Sequence, residues 1–147
     1  MRALIQRVSS GFVEIKEKKT EQIKKGLVIF LGITHTDTEK DIDYIINKVL
    51  NLRIFGDEKN DNFEKSVLDI NGELLIISQF TLYADTKKGR RPSFIESAKS
   101  DHAKSIYDKF ISNIKKEKIN IGTGIFGSKM KVKIINEGPV TIMIDSN

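Results

Sequence analysis

The apolar residues of the chain fall into continuous runs in some segments and into regular alternation in others. Residues 27–33 (LVIFLGI) and 73–77 (ELLII) are apolar almost throughout, a pattern typical of strands that are buried on both faces. Residues 2–8 and 12–15 mix apolar and polar positions and predict two more strands, with a turn at residues 9–11 (SSG) between them. We therefore expect a sheet whose central strands are covered on both sides.

Two longer segments place apolar residues three and four positions apart, which predicts amphipathic helices with the apolar face toward the sheet. In the first segment these residues are Ile42, Ile45, Ile46, Val49 and Leu50. Thr36 and Glu39 precede them at the spacing of a capping box. In the second segment, which runs from about residue 100 to residue 116, they are Ala103, Ile106, Tyr107, Phe110, Ile111 and Ile114. Two helices packed on one sheet are therefore expected.

The end of the chain shows the alternation of a half-exposed strand twice, at residues 130–134 and at residues 140–144. Between them, residues 136–139 (NEGP) contain one of only two prolines. The two segments thus predict a hairpin with Gly138 and Pro139 at its tip. An X-Pro peptide bond is cis in only about 5–6% of folded cases, so the pattern alone predicts a trans bond here.

Weaker signals complete the predicted fold. Residues 52–55 and 119–121 predict short strands, and residues 56–62 form a polar loop. The pair Asn71-Gly72 favours a hairpin that leads into the second apolar run. Together these segments predict an α+β fold in which mostly antiparallel strands carry two helices.

The composition agrees with a folded domain and removes several kinds of chemistry. With 147 residues, 39% hydrophobic and 31% charged, the chain is expected to form a single domain over residues 1–147 with a substantial core. The absence of cysteine excludes disulfides, a thiolate nucleophile and a thiolate metal site. The opening MRALIQRV does not have the pattern of a signal peptide, and no long apolar span follows. We therefore expect a cytoplasmic protein that does not contact a membrane.

Polar groups are concentrated where the second apolar run ends, at residues 78–85 (SQFTLYAD). The end of a buried strand holds such groups rigidly beside a cavity, as functional sites require. The candidate is the segment as a whole, with its hydroxyls, amide, two aromatic rings and carboxylate. The alternative interpretation is a strand end with ordinary edge polarity.

A loop at residues 86–92 (TKKGRRP) carries four cationic side chains, Lys87, Lys88, Arg90 and Arg91. Four like charges in five positions repel one another unless an anion lies among them, and arginine binds phosphate through two parallel hydrogen bonds. The loop is therefore a candidate phosphate contact, the alternative being a solvated basic loop. A second set of cations, which can extend a phosphate track or serve only solubility, comprises Lys129, Lys131 and Lys133. The net charge of +5 favours anionic partners only weakly.

The usual catalytic motifs are missing from the sequence. It contains no G-x-S-x-G elbow, no P-loop, no G-x-G-x-x-G after a strand and no H-E-x-x-H. His35 and His102 are the only histidines, and both are interpreted as surface residues. Since no triad and no ligand set can be assembled from these spacings, we expect neither a metal nor a cofactor. The residues alone leave an α+β domain with RNA binding as one interpretation.

Several segments together resemble the D-aminoacyl-tRNA deacylase family. They are MRALIQRV, LGITHTDTEKD, NLRIF, SVLDI, SQFTLYADTKKGRRPSF and NEGPVT. The resemblance covers almost the whole chain, and the two signature motifs of the family, SQFTLYAD and N-x-GPVT, are intact. It implies a compact β-barrel-like sheet flanked by helices, which works as a homodimer with its sites at the subunit interface.

The resemblance also implies a reaction and a set of residues. The reaction is hydrolysis of the ester of D-aminoacyl-tRNA to free D-amino acid and tRNA, as chiral proofreading in translation. Ser78 to Thr81 would line the pocket for the aminoacyl 3′ end, while the acceptor stem would meet the basic loop. Gly138 and Pro139, with a cis peptide bond, would enter the pocket of the partner subunit. Arg7 would hold that motif, to which Asn136 also belongs.

The implied chemistry needs little from the protein, because the ester is already activated. Backbone N–H groups around Phe80 and Thr81 can form an oxyanion hole, worth about 3–4 kcal/mol for a well-placed donor. The neighbouring ribose hydroxyl can assist water or the leaving group, which would explain the missing base. The rival mechanism makes Thr81 a covalent nucleophile, although no general base is visible beside it.

Selection by handedness would follow if the carbonyls of Gly138 and Pro139 occupied the space of an L side chain, which clash and desolvation would then exclude. Glycine has no side chain to exclude, so cleavage of mischarged glycyl-tRNA is expected. Two other classes of function stay open at this point: a non-catalytic tRNA- or RNA-binding module, and a purely structural dimer in which the Gly138-Pro139 turn joins the subunits.

Overall fold

The longest strand of the protein's first half, β1, runs over Arg2–Ile15 and pairs along both of its edges. The computed structural model describes residues 1–15, 18–57 and 62–146, with the backbone alone described at residues 18–20. The other strands are β2 (Lys18–Ile23), β3 (Gly26–Gly32), β4 (Glu73–Ser78), β5 (Asn120–Thr123) and β6 (Lys131–Asp145). The helices are α1 (Glu39–Asn51), α2 (Ser100–Ile114) and a short 3₁₀ helix at Phe80–Tyr83.

The strands form one mixed sheet in the described part of the chain. β1 pairs antiparallel with β2, β3 and β6, whereas β3–β4 and β4–β5 are parallel pairs. The sheet curls until β2 approaches β5: a Cβ atom on Gly122 would lie 3.4 Å from the Cβ of Glu21. The predicted α+β fold, with a barrel-like and mostly antiparallel sheet and two main helices, is thus confirmed.

The two predicted helices pack on one face of this sheet and form the main core with it. All five apolar positions predicted for the first helix are buried in α1. In α2 the buried residues are Ile106, Tyr107, Phe110 and Ile114. A second, smaller apolar cluster lies inside the curl of the sheet and contains Val8, Val13, Ile23, Val28, Leu75 and Ile77. Strand β4 contributes to both clusters, which explains its almost continuous apolar sequence.

The predicted turn at residues 9–11 is wrong, because β1 continues through it as one strand. Its pairing with β6 shifts register between Gln6 and Val8 and again between Val8 and Ser10. Gly11 is required for contact rather than for turning, since a Cβ atom there would lie only 2.9 Å from Cγ2 of Val28. A glycine next to serines therefore marks close packing in this strand, not a chain reversal.

The predicted closing hairpin is also wrong. β6 is a single strand that pairs antiparallel with β1 on both sides of the Gly138-Pro139 step. Because β1 is long enough to pair with both halves of β6, each half finds its partner there rather than in the other half. Alternation along a strand reports which face is exposed but does not identify the neighbouring strand.

Smaller differences concern turns and caps. The helix cap lies two residues further on than predicted, with Thr38 and Asp41 forming the capping box of α1. The Asn71-Gly72 pair closes a compact turn, with the Gly72 N–H donating to the carbonyl of Val67 at 2.9 Å, instead of joining two strands. The predicted strand at residues 52–55 is reduced to an isolated bridge. Much of the predicted loop at residues 56–62 lies outside the described residues.

The strand predicted at residues 119–121 is confirmed as β5, which pairs parallel with β4. None of the helices in the described ranges has the length and apolar content needed to cross a membrane.

Candidate active site

The candidate site begins where β4 leaves the sheet. The N–H of Gln79 donates to the carbonyl of Leu31 in β3 at 2.8 Å, and the chain then turns into the 3₁₀ helix. Gly32 makes this approach possible: a Cβ atom on it would lie 3.0 Å from the Cβ of Leu82 and 3.2 Å from the carbonyl oxygen of Gln79. The site segment is therefore held against β3 by a backbone hydrogen bond, and the absence of a side chain at Gly32 leaves the space for this close approach.

A cavity of about 590 Å³ opens beside this segment. Ser78, Gln79 and Phe80 form part of its wall. The ring of Phe80 packs edge-on against Phe94, with centroids 5.0 Å apart, although Phe80 is 56% exposed. The rest of the wall comes from β3, from the start of α2 and from the segment before β6, and it includes Ser97, Ser100, Phe126, Ser128, Lys129 and Met130.

Thr81, the fourth candidate, is not part of the cavity wall but is fixed by its neighbour. The side-chain amide of Gln79 donates a hydrogen bond to the hydroxyl oxygen of Thr81. The Thr81 hydroxyl accepts a hydrogen bond in this contact, so Gln79 does not provide a group that could take the hydroxyl proton. No Asp, Glu or His is among the described residues that line the cavity.

Backbone N–H groups are better placed than side chains to act as donors. Phe80 and Thr81 are the first two residues of the 3₁₀ helix, so their N–H groups have no acceptor within it. Among the described residues neither N–H has a backbone acceptor elsewhere. Donors of this kind can stabilise a negative oxygen that forms next to them.

The N-x-GPVT motif lies in β6, and its Gly138-Pro139 peptide bond is cis. The bond implied by the family resemblance is therefore confirmed, and the trans bond predicted from the pattern alone is wrong; the pair lies inside a paired strand rather than at a hairpin tip. Both residues are exposed and do not line the cavity of their own chain. The Asn136 amide nitrogen lies beside Gly138, 3.3 Å from where a Cβ would be.

Arg7 reaches the same motif from β1. Its Nε donates to the carbonyl of Glu137 at 3.1 Å, and its Nη1 donates to the carbonyl of Ile54 at 2.8 Å. Only 1% of Arg7 is exposed, and the Glu137 carboxylate lies 4.0 Å from its Nε. A buried guanidinium thus fixes the backbone immediately before Gly138.

The basic loop is closed at its base, and its four cations are not part of the cavity wall. Backbone hydrogen bonds of 2.8 Å in both directions join Asp85 to Ser93, and the next residue, Phe94, lines the cavity. Lys87, Lys88, Arg90 and Arg91 are all exposed, and none of them lines the cavity. Gly89 has a φ of 72°, the left-handed conformation that glycine adopts without strain.

The two histidines lie apart from the cavity. His35 Nε2 is 2.7 Å from the carbonyl oxygen of Ile95, and His102 is exposed on the first turn of α2. Among the described residues, no three His, Cys, Asp or Glu side chains gather in a way that could hold a metal ion.

Sequence reasoning missed Arg2, which braces the far end of the site segment. Its Nη1 donates to the carbonyl of Leu82 at 3.2 Å, its Nε donates to Asp145 at 2.8 Å, and its Cζ lies 4.6 Å from the centre of the Tyr83 ring. The role depends on β6 lying beside β1, for which no local signal exists. Gly32 was missed for a similar reason, because its neighbours are remote in sequence.

The fold and the site together define a class: an α+β protein with a curled mixed sheet and, at the end of a central strand, a cavity with no acidic side chain among the described residues of its wall. Residues 4–145 match the family model described as D-Tyr-tRNA(Tyr) deacylase. A protein of Clostridioides difficile (strain 630) named D-aminoacyl-tRNA deacylase is 50% identical over 147 residues, which is 100% of this chain and 98% of that one. The chain belongs to the D-Tyr-tRNA(Tyr) deacylase family, and the resemblance seen in its sequence is confirmed.

Solved structures show the same fold. One described as a c-Myc DNA unwinding element binding protein has a TM-score of 0.94 and 37% identity, and the match covers 100% of this chain and 99% of the other. Another, described as a probable eukaryotic D-amino acid tRNA deacylase, has a TM-score of 0.82 and 17% identity over 97% of each chain. The second likeness concerns the fold alone.

Proposed function

We propose that this protein hydrolyses the ester bond of D-aminoacyl-tRNA and releases the free D-amino acid and the tRNA. The observation that carries the proposal is the cavity beside Ser78, Gln79 and Phe80, in a chain that belongs along its length to a deacylase family. Such a substrate places the activity with translation, in the cytoplasm. The reaction corrects mischarged tRNA and needs no cofactor.

The proposed mechanism relies on the position of the ester rather than on an acid–base pair. Water attacks the ester carbonyl carbon, and the N–H groups of Phe80 and Thr81 donate to the oxygen that becomes negative, a contribution of about 3–4 kcal/mol for a well-placed donor. The C–O bond to the ribose then breaks, and the ribose oxygen leaves with a proton. The adjacent ribose hydroxyl assists this transfer, in agreement with a cavity whose described wall has no carboxylate or imidazole.

A covalent mechanism through Thr81 fits the geometry less well. A threonine nucleophile needs a group that accepts its proton, whereas the contact seen at its hydroxyl comes from the Gln79 amide, which donates. In the assisted mechanism Thr81→Ala keeps measurable hydrolysis. Complete loss in a folded Thr81→Ala variant, with Thr81→Ser active, would favour the nucleophile instead.

Rejection of L-aminoacyl esters is proposed to depend on a homodimer. Gly138 and Pro139 are exposed on β6, and the buried Arg7 holds the backbone next to them. In a two-fold dimer the same segment of each subunit enters the cavity of the other. The carbonyls of Gly138 and Pro139 then occupy the space of an L side chain, with Asn136 beside them. A D side chain points elsewhere and is accepted.

Glycyl-tRNA is a further proposed substrate. Glycine has no side chain, so a barrier that acts by clash and desolvation does not reject it. The basic loop is proposed to meet the backbone of the acceptor stem, because phosphate contacts give weak sequence preference and strong salt dependence. Intact glycyl-tRNA at high enzyme concentration would contradict the first statement, and turnover independent of salt at subsaturating tRNA would contradict the second.

The test uses purified protein in buffer with chelator, with D-tyrosyl-tRNA and L-tyrosyl-tRNA followed in parallel for ester loss. Rapid loss of the D ester alone is expected. Equal loss of both esters would contradict the selection by Gly138 and Pro139. Binding of tRNA without loss of either ester would favour a non-catalytic RNA-binding module. Neither binding nor hydrolysis would favour a purely structural dimer.

A further inference from the structure

Lys129 differs in its surroundings from the other two lysines of its segment. In the sequence, Lys129, Lys131 and Lys133 form one alternating set. In the structure, Lys131 and Lys133 share one partner, with their Nζ atoms 3.7 Å and 3.4 Å from the two carboxylate oxygens of Glu14. Lys129 instead lines the cavity and, among the described residues, has no ion pair.

The charge of Lys129 is the single formal charge on the described cavity wall. The remaining wall is built from apolar, hydroxyl and amide side chains such as Phe94, Phe126 and Ser128. Lys129 is itself exposed, so its attraction for an anion is modest and falls as salt is added. The cavity therefore favours a ligand that brings an anionic group to the side formed by residues 127–130.

This charge also orients the proposed substrate. An aminoacyl ester has no free carboxylate, and its α-amino group carries a positive charge near neutral pH, which Lys129 repels. The anionic groups of the substrate are the phosphates of the RNA strand, on the other side of the terminal ribose from the ester. The aminoacyl end therefore lies toward Ser78 and Phe80, and the nucleotide end lies toward Lys129.

We infer that Lys129 binds the phosphate of the 3′-terminal nucleotide and so positions the ester for hydrolysis. The inference rests on the proposed function, and it assigns to Lys129 a role that differs from those of Lys131 and Lys133. A lysine ammonium serves this role as a mobile point charge with three donors. Phosphate contacts of this kind fix the register of the strand without reading its sequence.

The experiment compares two substrates of the same enzyme, D-tyrosyl-tRNA and the D-tyrosyl ester of adenosine, which carries no phosphate. Lys129→Ala is expected to lower kcat/KM on the tRNA by about three- to tenfold at low salt, mainly through KM. The ester of adenosine is expected to be cleaved equally by both proteins. Lys129→Arg, which keeps the charge, is expected to restore most of the activity on tRNA.

Salt provides a second readout and a matched control. A single contact to one phosphate of a single strand contributes about 0.7 to the slope of log K against log salt, so Lys129→Ala is expected to reduce the slope of log kcat/KM by about that amount. Lys131→Ala removes a lysine of the same segment that already has Glu14 as its partner. It is expected to leave both substrates nearly unchanged.

The outcomes separate this inference from the function on which it rests. If the wild-type protein cleaves neither substrate, the proposed function is wrong. If the wild-type protein is active and Lys129→Ala matches it on tRNA, or loses activity equally on both substrates, the phosphate contact is wrong. An effect of Lys131→Ala equal to that of Lys129→Ala would also overturn it, because the two lysines would then act only as diffuse charge.

Discussion

The two signature segments of this protein are fixed in opposite ways. The segment at residues 78–85 is held by its own chain, through the bond from Gln79 to Leu31 and the close approach over Gly32. The segment at residues 136–139 is exposed, and a single buried side chain, that of Arg7, holds its backbone from below. The first segment thus forms a wall of the cavity, whereas Gly138 and Pro139 in the second segment are exposed.

Removing the anchor of the second segment is expected to have the largest effect. Arg7→Ala leaves the carbonyls of Glu137 and Ile54 without their buried donor and opens a cavity, for a loss of about 3–5 kcal/mol in the free energy of unfolding. Chemical denaturation measures this loss. Arg7→Lys, which keeps the charge but cannot reach both carbonyls, is expected to lie between. A loss below 1 kcal/mol for Arg7→Ala would show that the segment is held by other contacts.

Gly138→Ala tests whether the second segment acts on another subunit. Among the described residues other than its chain neighbours, a Cβ atom at Gly138 would meet within 4 Å only the amide nitrogen of the flexible Asn136 side chain, at 3.3 Å, so the free energy of unfolding should change by under about 0.5 kcal/mol. If the segment enters the partner's cavity, the added methyl group displaces the substrate. Activity on D-tyrosyl-tRNA is then expected to fall by about 100-fold.

A mixing experiment with heterodimers tests whether the Gly138 segment acts on the cavity of the other subunit. Mixing Gly138→Ala subunits with subunits whose cavity is blocked by a bulky residue in its wall, such as Ser78→Trp, gives heterodimers in which the working cavity receives an intact segment only if the segments cross. Recovery of activity on mixing supports the crossing. Full activity of Gly138→Ala alone would contradict any role for this segment in the cavity.

Gly32→Ala makes the corresponding test on the first segment, with a smaller expected effect. The new methyl group would lie 3.0 Å from the Cβ of Leu82 and 3.3 Å from Cδ2 of Tyr83, so the 3₁₀ helix must move. We expect a loss of about 1–3 kcal/mol in the free energy of unfolding and about tenfold lower activity. Gly122→Ala is the control, because its methyl group would meet Leu75 at 3.2 Å, away from the site. Equal loss of activity in both variants would show that stability alone limits the rate.

The same contrast explains what the sequence could predict. The first segment follows a run of apolar residues, and both the strand and its polar end are local features, so β4 and the polar segment at its end could be predicted from pattern. The second segment alternates like a hairpin, and the prediction failed because the partner of both halves is β1, more than a hundred residues earlier. Local pattern predicts exposure, whereas pairing depends on the remote strand.

The contacts that sequence reasoning missed follow the same rule. Arg2 acts on the site only because β1 brings it beside Leu82 and β6 brings Asp145 beside it. Lys129 differs from Lys131 and Lys133 only because Glu14 lies opposite the latter two. The alternating spacing makes the three lysines look equivalent in the sequence, whereas their contacts in the folded protein distinguish Lys129 from Lys131 and Lys133.

The smallest effects are expected at two tyrosines, one at the end of the first segment and one beneath β4. The hydroxyl of Tyr107 donates to the carbonyl of Ile76 at 3.0 Å. The hydroxyl of Tyr83 is buried and has no hydrogen-bond partner among the described residues. Tyr107→Phe is therefore expected to cost about 1–2 kcal/mol, and Tyr83→Phe is expected to be neutral within about 0.5 kcal/mol or slightly stabilising. A large loss in Tyr83→Phe would mean that its hydroxyl, and not backbone contact, holds the first segment.

The pH dependence of the free energy of unfolding gives a second test of the same two Tyr→Phe substitutions. Burial raises the pKa of both phenols above their ordinary value of 10.0, so the folded protein holds these protons more tightly than the unfolded chain. Stability from this source is complete below pH 10.0 and is lost as the pH rises from there toward the folded-state pKa. Each Tyr→Phe variant is expected to lose less stability than the wild type between pH 9 and pH 11, roughly the range around the ordinary phenol pKa. Denaturation curves across that range measure the difference, and a variant that follows the wild type throughout would show that its phenol is as free to ionise in the folded protein as in the unfolded chain.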